Sequence, residues 1–399
     1  MFFNHGTVEI VNDMPRVLRI INRFNLGGPT FNAAYLTKFL EPEFETLLIG
    51  GLKDESEAGS EFILENLGIQ PMILEEMRRA PGLSKDYKTY KRIRAIIKEF
   101  KPDIVHTHAS KAGAIGRLAA HHEGVKAIVH TFHGNVFKGY FGATKNILYK
   151  NLERYLAKRT HAIIAISDLQ KRELAEEHRI CAAEKIRVIP LGFDLLKFKT
   201  EKEKKRKAFR EKWSIHENEI VISIVGRLVP IKNHKLFIDA MRLVAEQSNI
   251  PVKAMIVGDG ESRASLEEYI KVNCPKDHPF VFTSWIREVD EVTAGSDIIA
   301  LSSLNEGTPV SLIEAQAAGT PIVSTDVGGI RDIVIPEKTA LLSPSEDAES
   351  FAFNLLRLIN QPSLRSEMSE QGWPHVEDRF HYSRLVKDMR QLYLELLKA

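Results

Sequence analysis

Two carboxylates, Glu306 and Glu314, follow a short apolar run that predicts a buried strand. Pro309 between them suits the start of a helix, which would direct the free amides of Val310 and Ser311 at an anionic ligand. Open α/β sheets bind ligands at the carboxyl ends of their strands. The segment therefore predicts a site for a ligand with phosphate and hydroxyl groups. The plainer alternative is that Glu306 only charges the helix start and Glu314 is merely exposed.

A pair of cations and a pair of glycines also stand at the ends of apolar runs. Arg227 and Lys232 follow the glycine of a turn, where they can neutralise a phosphate; the alternative is a surface Arg and Lys at a helix start. Gly27 and Gly28 have no side chains and let the backbone approach a ligand phosphate, although such a pair is more often only a turn. These four residues are candidates for phosphate binding.

Three histidines suggest further chemistry. His133 comes at a predicted strand end, where a ligand contact is favoured over a structural role. His106 and His108 are two apart and share one face of a strand, so they are conceivable metal ligands. No Asp-x-Asp motif occurs in the chain, and neither cysteine lies nearby in sequence. We therefore expect no metal site, and we expect His106 and His108 to line a cleft together with Ser110 and Lys111.

Short Val- and Ile-rich runs alternate with longer stretches of helical period, which is typical of parallel sheets covered by helices on both faces. One open sheet of this many strands would exceed the usual size. We therefore predict two doubly wound, Rossmann-like sheets, with the cut near 190–200. The predicted strands are 17–22, 45–49, 104–107, 127–131, 162–166 and 186–189 in the first domain, and 220–225, 253–257, 280–282, 298–301 and 321–324 in the second.

Composition narrows the function classes. The 399 residues carry 55 Lys and Arg against 53 Asp and Glu, a balance that argues against nucleic acid as the partner. Two cysteines give no disulfide framework, and no apolar run reaches the length of a membrane span or forms a secretory signal. We expect a cytoplasmic protein, with peripheral contact at the inner membrane face left open.

The segment 306–321 resembles the motif of two glutamates separated by seven residues in retaining glycosyltransferases of the GT-B fold, the large group 1 family that includes bacterial capsule, lipopolysaccharide and glycolipid enzymes. Further family signatures occur in the same order along nearly the whole chain. They are Gly27-Gly28, His106-Thr-His108 with Ser110-Lys-Ala-Gly113, Thr131-Phe-His133-Gly134, Gly226-Arg227 through Lys232-Asn233, and Gly258-Asp-Gly260.

The resemblance implies a role for each matching residue. Glu306 would approach the transferred sugar, Glu314 would bind the ribose of the nucleotide, and His133 would contact the sugar hydroxyls. Gly258 and Thr308 would belong to the donor site, although Thr308 stands where many members have a larger residue. The resemblance implies catalytic roles for His133, Glu306, Arg227 and Lys232. The residues that it implies for donor binding are Gly27, Gly28, Arg227, Lys232, Gly258, Thr308, Val310, Ser311 and Glu314.

The implied activity is transfer of a hexose-type sugar from a nucleoside diphosphate donor, expected to be a UDP-sugar, to a hydroxyl of a cell-surface glycan or glycolipid precursor. The resemblance implies retention of the anomeric configuration and no cofactor or metal. A nucleotide-sugar 2-epimerase of the same fold is the alternative. A dinucleotide-dependent enzyme is disfavoured because no G-x-G-x-x-G motif follows a strand.

Two regions extend this interpretation. Basic and apolar residues alternate over 138–159, which predicts either a core-facing helix or a surface that rests on anionic lipid. The last apolar stripe, from Phe380 to Leu396, either packs on its own domain or, as the resemblance implies, crosses back near Trp373 to the first domain. The expected domains are 1–195 on the acceptor side, 196–372 for the nucleotide sugar, and 373–399 as the crossover helix.

Overall fold

The computed structural model describes residues 14–25, 27–54, 59–78, 82–134 and 143–398. Within these residues thirteen strands form two separate sheets. The strands are β1 Arg16–Arg23, β2 Glu45–Gly51, β3 Met72–Ile73, β4 Ile104–His108, β5 Ala127–Thr131, β6 Ala162–Ala165, β7 Ile186–Val188, β8 Ile220–Val225, β9 Val252–Val257, β10 Phe280–Ser284, β11 Ile298–Leu301, β12 Ile322–Thr325 and β13 Ala340–Ser343.

Sixteen α-helices connect and cover the strands in the described part of the chain. They are α1 Gly28–Phe39, α2 Glu61–Asn66, α3 Leu83–Phe100, α4 Ser110–His122, α5 Ala143–Ala157, α6 Asp168–Arg172, α7 Leu196–Lys199, α8 Lys202–Lys212, α9 His234–Gln247, α10 Arg263–Asn273, α11 Val289–Gly295, α12 Val310–Ala317, α13 Ile330–Ile333, α14 Ala348–Asn360, α15 Pro362–Phe380 and α16 Tyr382–Lys398. A π-turn at Glu173–Glu177 and 3₁₀ turns at Ala183–Lys185 and Pro230–Lys232 complete the regular structure.

Both sheets are wholly parallel and doubly wound, as the sequence predicts. The first has the strand order β3-β2-β1-β4-β5-β6-β7 and the second β10-β9-β8-β11-β12-β13. The central strand β11 is buried along its whole length, which explains its continuous apolar sequence. Every predicted strand is present. The sequence analysis missed β3, which has two residues, and the edge strand β13.

The C-terminal helix crosses back to the first domain, as predicted. Met389 and Tyr393 of α16 pack into a core cluster with Val17 of β1 and Leu36 of α1. The crossing lies at His381, later than the expected position near Trp373. The reason is that Phe380 is buried with the second-domain core, so α15 continues through Pro374. The predicted single stripe is therefore divided between two helices and two cores.

Backbone hydrogen bonds join the crossing to the segment that links the two domains. The amide of Phe193 donates to the carbonyl of Phe380 at 2.8 Å, and the amide of Tyr382 donates to the carbonyl of Phe193 at 3.0 Å. Gly192 lies directly against α16, where an added Cβ would stand 2.7 Å from the Cβ of Leu385 and 2.8 Å from the Cα of Tyr382. The absence of a side chain at Gly192 allows this close approach.

We expect Gly192→Ala to lower the free energy of unfolding by about 1–3 kcal/mol, because the new methyl group overlaps atoms of α16 that cannot move independently. Urea unfolding measures this loss. Gly82→Ala is the matched control, since its φ is −160° and no heavy atom lies within 4 Å of the added Cβ. Equal stability of the two variants would show that the linker does not hold α16 in this way.

Candidate active site in the cleft between the two sheets

A cleft of about 990 Å³ separates the carboxyl ends of the two sheets. Both domains contribute to its walls, the first mainly through α1 and α2 and the second through the loops after β8, β10 and β11. Most of the residues that the sequence analysis assigned to a donor site line this space: Gly27, Gly28, Arg227, Lys232, Glu306, Thr308, Val310, Ser311 and Glu314. His133 and Gly258 are not among the lining residues.

An ion pair joins two loops of the second domain inside the cleft. Nζ of Lys232 lies 2.5 Å from Oε1 of Glu306, and both side chains are largely buried. Oγ of Ser303 donates to the same carboxylate oxygen at 2.6 Å. Hydrogen bonds from Lys232 and Ser303 therefore fix the position of the Glu306 carboxylate, and Lys232 also balances its charge.

The backbone of the Glu306 loop is held from two sides. Oγ of Ser302 donates to the carbonyl of Lys232 at 3.0 Å, which ties the loop to the 3₁₀ turn. On the other side Gly328, with a φ of +54°, packs so closely that an added Cβ would lie 2.1 Å from the carbonyl oxygen of Glu306. The sequence analysis missed this support, although the glycine pair at 328–329 after a strand was a visible signal.

Arg227 is exposed to the cleft at the end of β8. The turn that carries it depends on Gly258, whose φ is +136° and whose added Cβ would lie 1.9 Å from the carbonyl oxygen of Gly226. A side chain at Gly258 would therefore displace Gly226, which lines the cleft. In this structure Gly258 shapes the Arg227 turn through backbone contact.

Two helices begin at the cleft, one from each domain. In the second domain α12 starts at Val310, with Pro309 as its N-cap rather than inside its first turn, so the amides of Val310 and Ser311 still belong to the open first turn. Nearby, Oγ1 of Thr308 is buried and has no hydrogen-bond partner among the described residues. A ligand oxygen at this position would satisfy both the hydroxyl and the helix amides.

In the first domain α1 begins at Gly28 with Pro29 in its first turn. Gly27 has a φ of 159°, which is extended backbone, so its value here is the missing side chain rather than a left-handed conformation. An added Cβ on Gly28 would lie 3.2 Å from Cδ1 of Leu191, a tight contact with the linker. The glycine pair thus brings a helix N-terminus to the cleft wall.

Glu314 lies inside α12, and its carboxyl group faces the same cleft. Burial raises the pKa of Glu314 to about 7, with Lys197 opposing the shift and Asp290 adding to it. Near neutral pH this carboxyl group is therefore only partly ionised. The sequence analysis did not find Lys197 or Asp194 of the linker, which also line the cleft, since a linker gives no periodic signal.

A partly apolar slot in the cleft follows β10. Trp285, Ile286 and Arg287 line the cleft there with Val225 and other residues. The guanidinium of Arg287 lies 5.4 Å from the ring centroid of Phe62 in α2, so a cation–π contact bridges the two domains at this edge. Flat, partly apolar walls of this kind suit an aromatic ring of a ligand.

His133 lies just after β5, and Nδ1 of His108 is 2.9 Å from its Nε2. Burial lowers the pKa of His133 to about 3, so its imidazole is neutral near pH 7. The expectation that His106 and His108 line the cleft is wrong, because both are fully buried. Both ring nitrogens of His106 already take part in hydrogen bonds.

Comparison with known proteins shows the family to which this chain belongs. Residues 205–373 match the family described as Glycosyl transferases group 1, and residues 50–196 match Glycosyltransferase Family 4. The chain is 31% identical over 337 residues to the UDP-Gal:alpha-D-GlcNAc-diphosphoundecaprenol alpha-1,3-galactosyltransferase of Escherichia coli, an alignment that covers 82% of this chain and 84% of the relative. The chain belongs to the group 1 glycosyltransferases. A capsular polysaccharide biosynthesis glycosyltransferase of Staphylococcus aureus, CapM, is 24% identical over 326 residues, covering 81% of this chain and 84% of that protein.

Solved structures show the same fold for this glycosyltransferase. Anabaena HepE in complex with UDP-glucose superposes with a TM-score of 0.80 at 19% identity, covering 95% of this chain and 99% of HepE. Sucrose-phosphate synthase from Thermosynechococcus elongatus gives a TM-score of 0.79 at 18% identity, covering 96% and 99%. The fold is GT-B, as the sequence resemblance implied.

The close contact of Gly328 with the backbone of Glu306 allows a test of whether the position of the Glu306 loop matters for transfer. We expect Gly328→Ala to reduce glycosyltransferase turnover by about 100-fold, because the added methyl group displaces the Glu306 backbone and misplacement by about 1 Å has costs of this size. Circular dichroism should show an intact fold, and Gly82→Ala serves again as the control. Unchanged turnover in Gly328→Ala would mean that the position of this loop does not matter for transfer.

Proposed function

We propose that this glycosyltransferase moves a hexose-type sugar from a UDP-sugar to a hydroxyl of a lipid-linked or glycan precursor of a cell-surface polysaccharide, with retention of anomeric configuration. The observation that carries the proposal is the convergence of Arg227, Lys232 and the N-terminus of α12 on one cleft. This arrangement offers cations and helix amides together to a diphosphate.

Each part of the UDP-sugar would contact a different group of residues in the cleft. The diphosphate would lie between the two cations and the helix N-termini, with the Gly27–Gly28 turn covering it. The ribose hydroxyls would donate to Glu314, and the base would stack in the slot at Trp285 and Ile286. The E. coli relative is named for UDP-galactose, and HepE was solved with UDP-glucose, which supports a UDP-hexose here.

Retention is proposed because the resemblance to retaining group 1 glycosyltransferases implies it, and the contacts of Glu306 bear on how it would be achieved. Oε1 of Glu306 accepts hydrogen bonds from Lys232 and Ser303, so this carboxylate is poorly placed to act as a free nucleophile. We infer front-face attack: the bond from the anomeric carbon to the phosphate oxygen breaks, the acceptor oxygen bonds to the same face, and the leaving phosphate takes the acceptor proton. Arg227 and Lys232 stabilise the charge that grows on that phosphate.

The side chains of Arg227 and Lys232 and the N-termini of α1 and α12 would supply the positive potential that a divalent ion supplies in other sugar transferases. We therefore propose that transfer needs no metal. The alternative of a nucleotide-sugar 2-epimerase is not favoured, because the matched families and the named relatives are transferases.

The acceptor is proposed to be lipid-linked, as in the name of the E. coli relative. Helix α5 of the first domain offers a surface that suits a lipid. Four large apolar residues are exposed on it: Ile147, Leu148, Leu152 and Tyr155, with exposed fractions of 39–73%. Lys158 is exposed beside them, and the guanidinium of Arg159 lies 3.6 Å from the ring centroid of Tyr155.

This face of α5 is apolar and cationic. The one carboxylate of the helix, Glu153, is fully buried and paired with Arg117 at 2.7 Å. Among the described side chains of α5 no carboxylate is therefore exposed to repel anionic lipid, and we propose that this face rests on the cytoplasmic membrane surface. Lys138, Tyr140 and Phe141 of the same basic segment lie outside the described residues. No helix in the described ranges is long and apolar enough to cross a bilayer.

The proposed activity is tested by incubating the protein with UDP-galactose, UDP-glucose or UDP-N-acetylglucosamine and a GlcNAc-diphosphoryl-lipid acceptor in the presence of EDTA. We expect an α-linked product by NMR, and Glu306→Gln should lower its rate by about 100-fold or more. A product with inverted configuration, epimerised UDP-sugar without acceptor modification, or transfer that a divalent ion alone restores would contradict the proposal.

Glu314 predicts a pH dependence of donor binding. Ribose hydroxyls donate best to an ionised carboxylate, and the raised pKa of about 7 means that ionisation is completed only as the pH rises from 6 to 8. We expect UDP to bind about tenfold more tightly at pH 8 than at pH 6 by calorimetry. Glu314→Gln should remove most of this difference, and an unchanged pH profile in that variant would exclude the assigned role.

The membrane surface is tested with vesicles. We expect the protein to float with phosphatidylglycerol vesicles, less at high salt, and hardly with phosphatidylcholine vesicles. Replacing Ile147, Leu148, Leu152 and Tyr155 by Ser should abolish flotation. Leu83→Ser with Tyr87→Ser on α3 is the control, since these exposed residues lie on another helix. Equal flotation of both variants would contradict a role for α5.

A further inference from the structure

A cation from the interdomain linker and a carboxyl group of α12 line the same cleft. They are Lys197 of α7 and Glu314. The short helix α7 is fixed against α12, because Phe198 is buried in one core cluster with Leu312 and Ala315. This packing holds the side chain of Lys197 on the same wall of the cleft as the carboxyl group of Glu314.

The ammonium group of Lys197 is not paired with a carboxylate of the described residues. Within that part of the chain the residue takes part in no ion pair, and its Nζ lies 5.1 Å from the ring centroid of Phe198. The side chain is half-buried, so solvent screens its charge only in part. The positive charge is therefore free to act on other groups of the cleft wall.

A carboxylate of α11 that acts on Glu314 already has its own partner. Oδ2 of Asp290 lies 2.9 Å from Nζ of Lys205 in α8, and both side chains are largely buried. The same Nζ donates to the backbone carbonyls of Lys197 and Thr200. Lys205 thus holds the backbone of α7 and balances the charge of Asp290, which leaves the charge of Lys197 to act on Glu314.

The other elements around Glu314 bring no cation to it at the contacts that the structure describes. Burial raises the pKa of Tyr35 in α1 above its usual range, and the charge of Asp194 adds to the shift, so this phenol stays neutral. Helix α15 packs on another side of α12, where Gly372 lies against Gln316. Gln316 is two residues beyond Glu314 and therefore about 200° further round the helix.

The ionisation of Glu314 is sensitive to these neighbours. Burial raises its pKa to about 7, Asp290 adds to the shift and Lys197 opposes it. A carboxyl group that titrates close to the working pH responds strongly to a small change in its surroundings. If the pKa rose by about one pH unit, the ionised fraction at pH 7 would fall from about one half to about one tenth.

We propose that Lys197 is a positioning residue that acts through Glu314: its ammonium group holds this carboxyl group in the charged form that accepts hydrogen bonds from the ribose. The contact between Glu314 and the ribose rests on the proposed function. The action of Lys197 on Glu314 does not, because it is a property of the free protein. Lys197 itself contacts neither the diphosphate nor the transferred sugar in this arrangement.

The carboxyl group of Glu314 can be titrated by NMR in the free protein with ¹³C-labelled glutamate, using Glu314→Gln to assign its signal. We expect Lys197→Met to raise the midpoint by about one pH unit, the order of effect of a nearby opposite charge, and Lys197→Arg to preserve it. Lys199→Met is the matched control, since Lys199 lies on the same helix with its Nζ 4.4 Å from the ring centroid of Trp373. An unchanged midpoint in Lys197→Met, or an equal rise in Lys199→Met, overturns the proposal.

Calorimetric titration with UDP gives a second measurement. We expect Lys197→Met to weaken UDP binding by about fivefold at pH 7 and hardly at pH 9, because Glu314 is ionised in both proteins at the higher pH. A loss of the same size at both pH values would indicate a direct contact with the ligand or a structural role, and would overturn the proposal. A raised midpoint of Glu314 in Lys197→Met, together with a wild type that does not bind UDP, would instead contradict the proposed function alone.

Discussion

The ion pair between Lys232 and Glu306 is the interaction on which the arrangement of the cleft depends. It joins the loop after β8 to the loop after β11, and Ser302 and Ser303 reinforce the same connection. A cation and a carboxylate this close in a largely buried setting hold each other only if further hydrogen bonds fix them, and Ser303 supplies one. The second domain therefore holds Lys232 and Glu306, the proposed phosphate-binding and sugar-facing groups, as one preassembled unit.

The first domain is tied to this unit through α16 and the linker. Tyr382, next to the crossing, stacks on Tyr35 and Phe39 of α1 with ring centroids 5.3 and 4.4 Å apart. The N-terminus of the same helix is the Gly27–Gly28 turn in the cleft wall. Helix α1 thus connects the crossing point mechanically to the site. Tyr393 extends the connection to His106, so the C-terminal helix contributes to the first-domain wall as well as to its core.

The sequence predicted the features that repeat along the chain. Apolar runs indicated nearly every strand, and the family motifs indicated the cleft residues, because both signals are local. Contacts between residues that are far apart in the chain produce no local sequence pattern from which they could be predicted. The glycine pair at 328–329 indicates a turn after a strand but not that Gly328 packs on the backbone of Glu306, and no periodic pattern indicates that Asp194 and Lys197 reach the cleft. His106 and His108 were assigned to the lining of the cleft because a strand pattern predicts that they share a face but not which elements cover that face.

The central claim is that the cleft holds a nucleoside diphosphate by its diphosphate group. Calorimetric titration with UDP and with uridine tests it most directly, since the two ligands differ only in that group. We expect the wild type to favour UDP by well over tenfold and Lys232→Ala to lose most of that preference, because a charge-assisted contact contributes about 1.5–3 kcal/mol. Lys235→Ala, which removes an exposed charge three residues away, should keep it. An unchanged preference for UDP in Lys232→Ala would contradict the account.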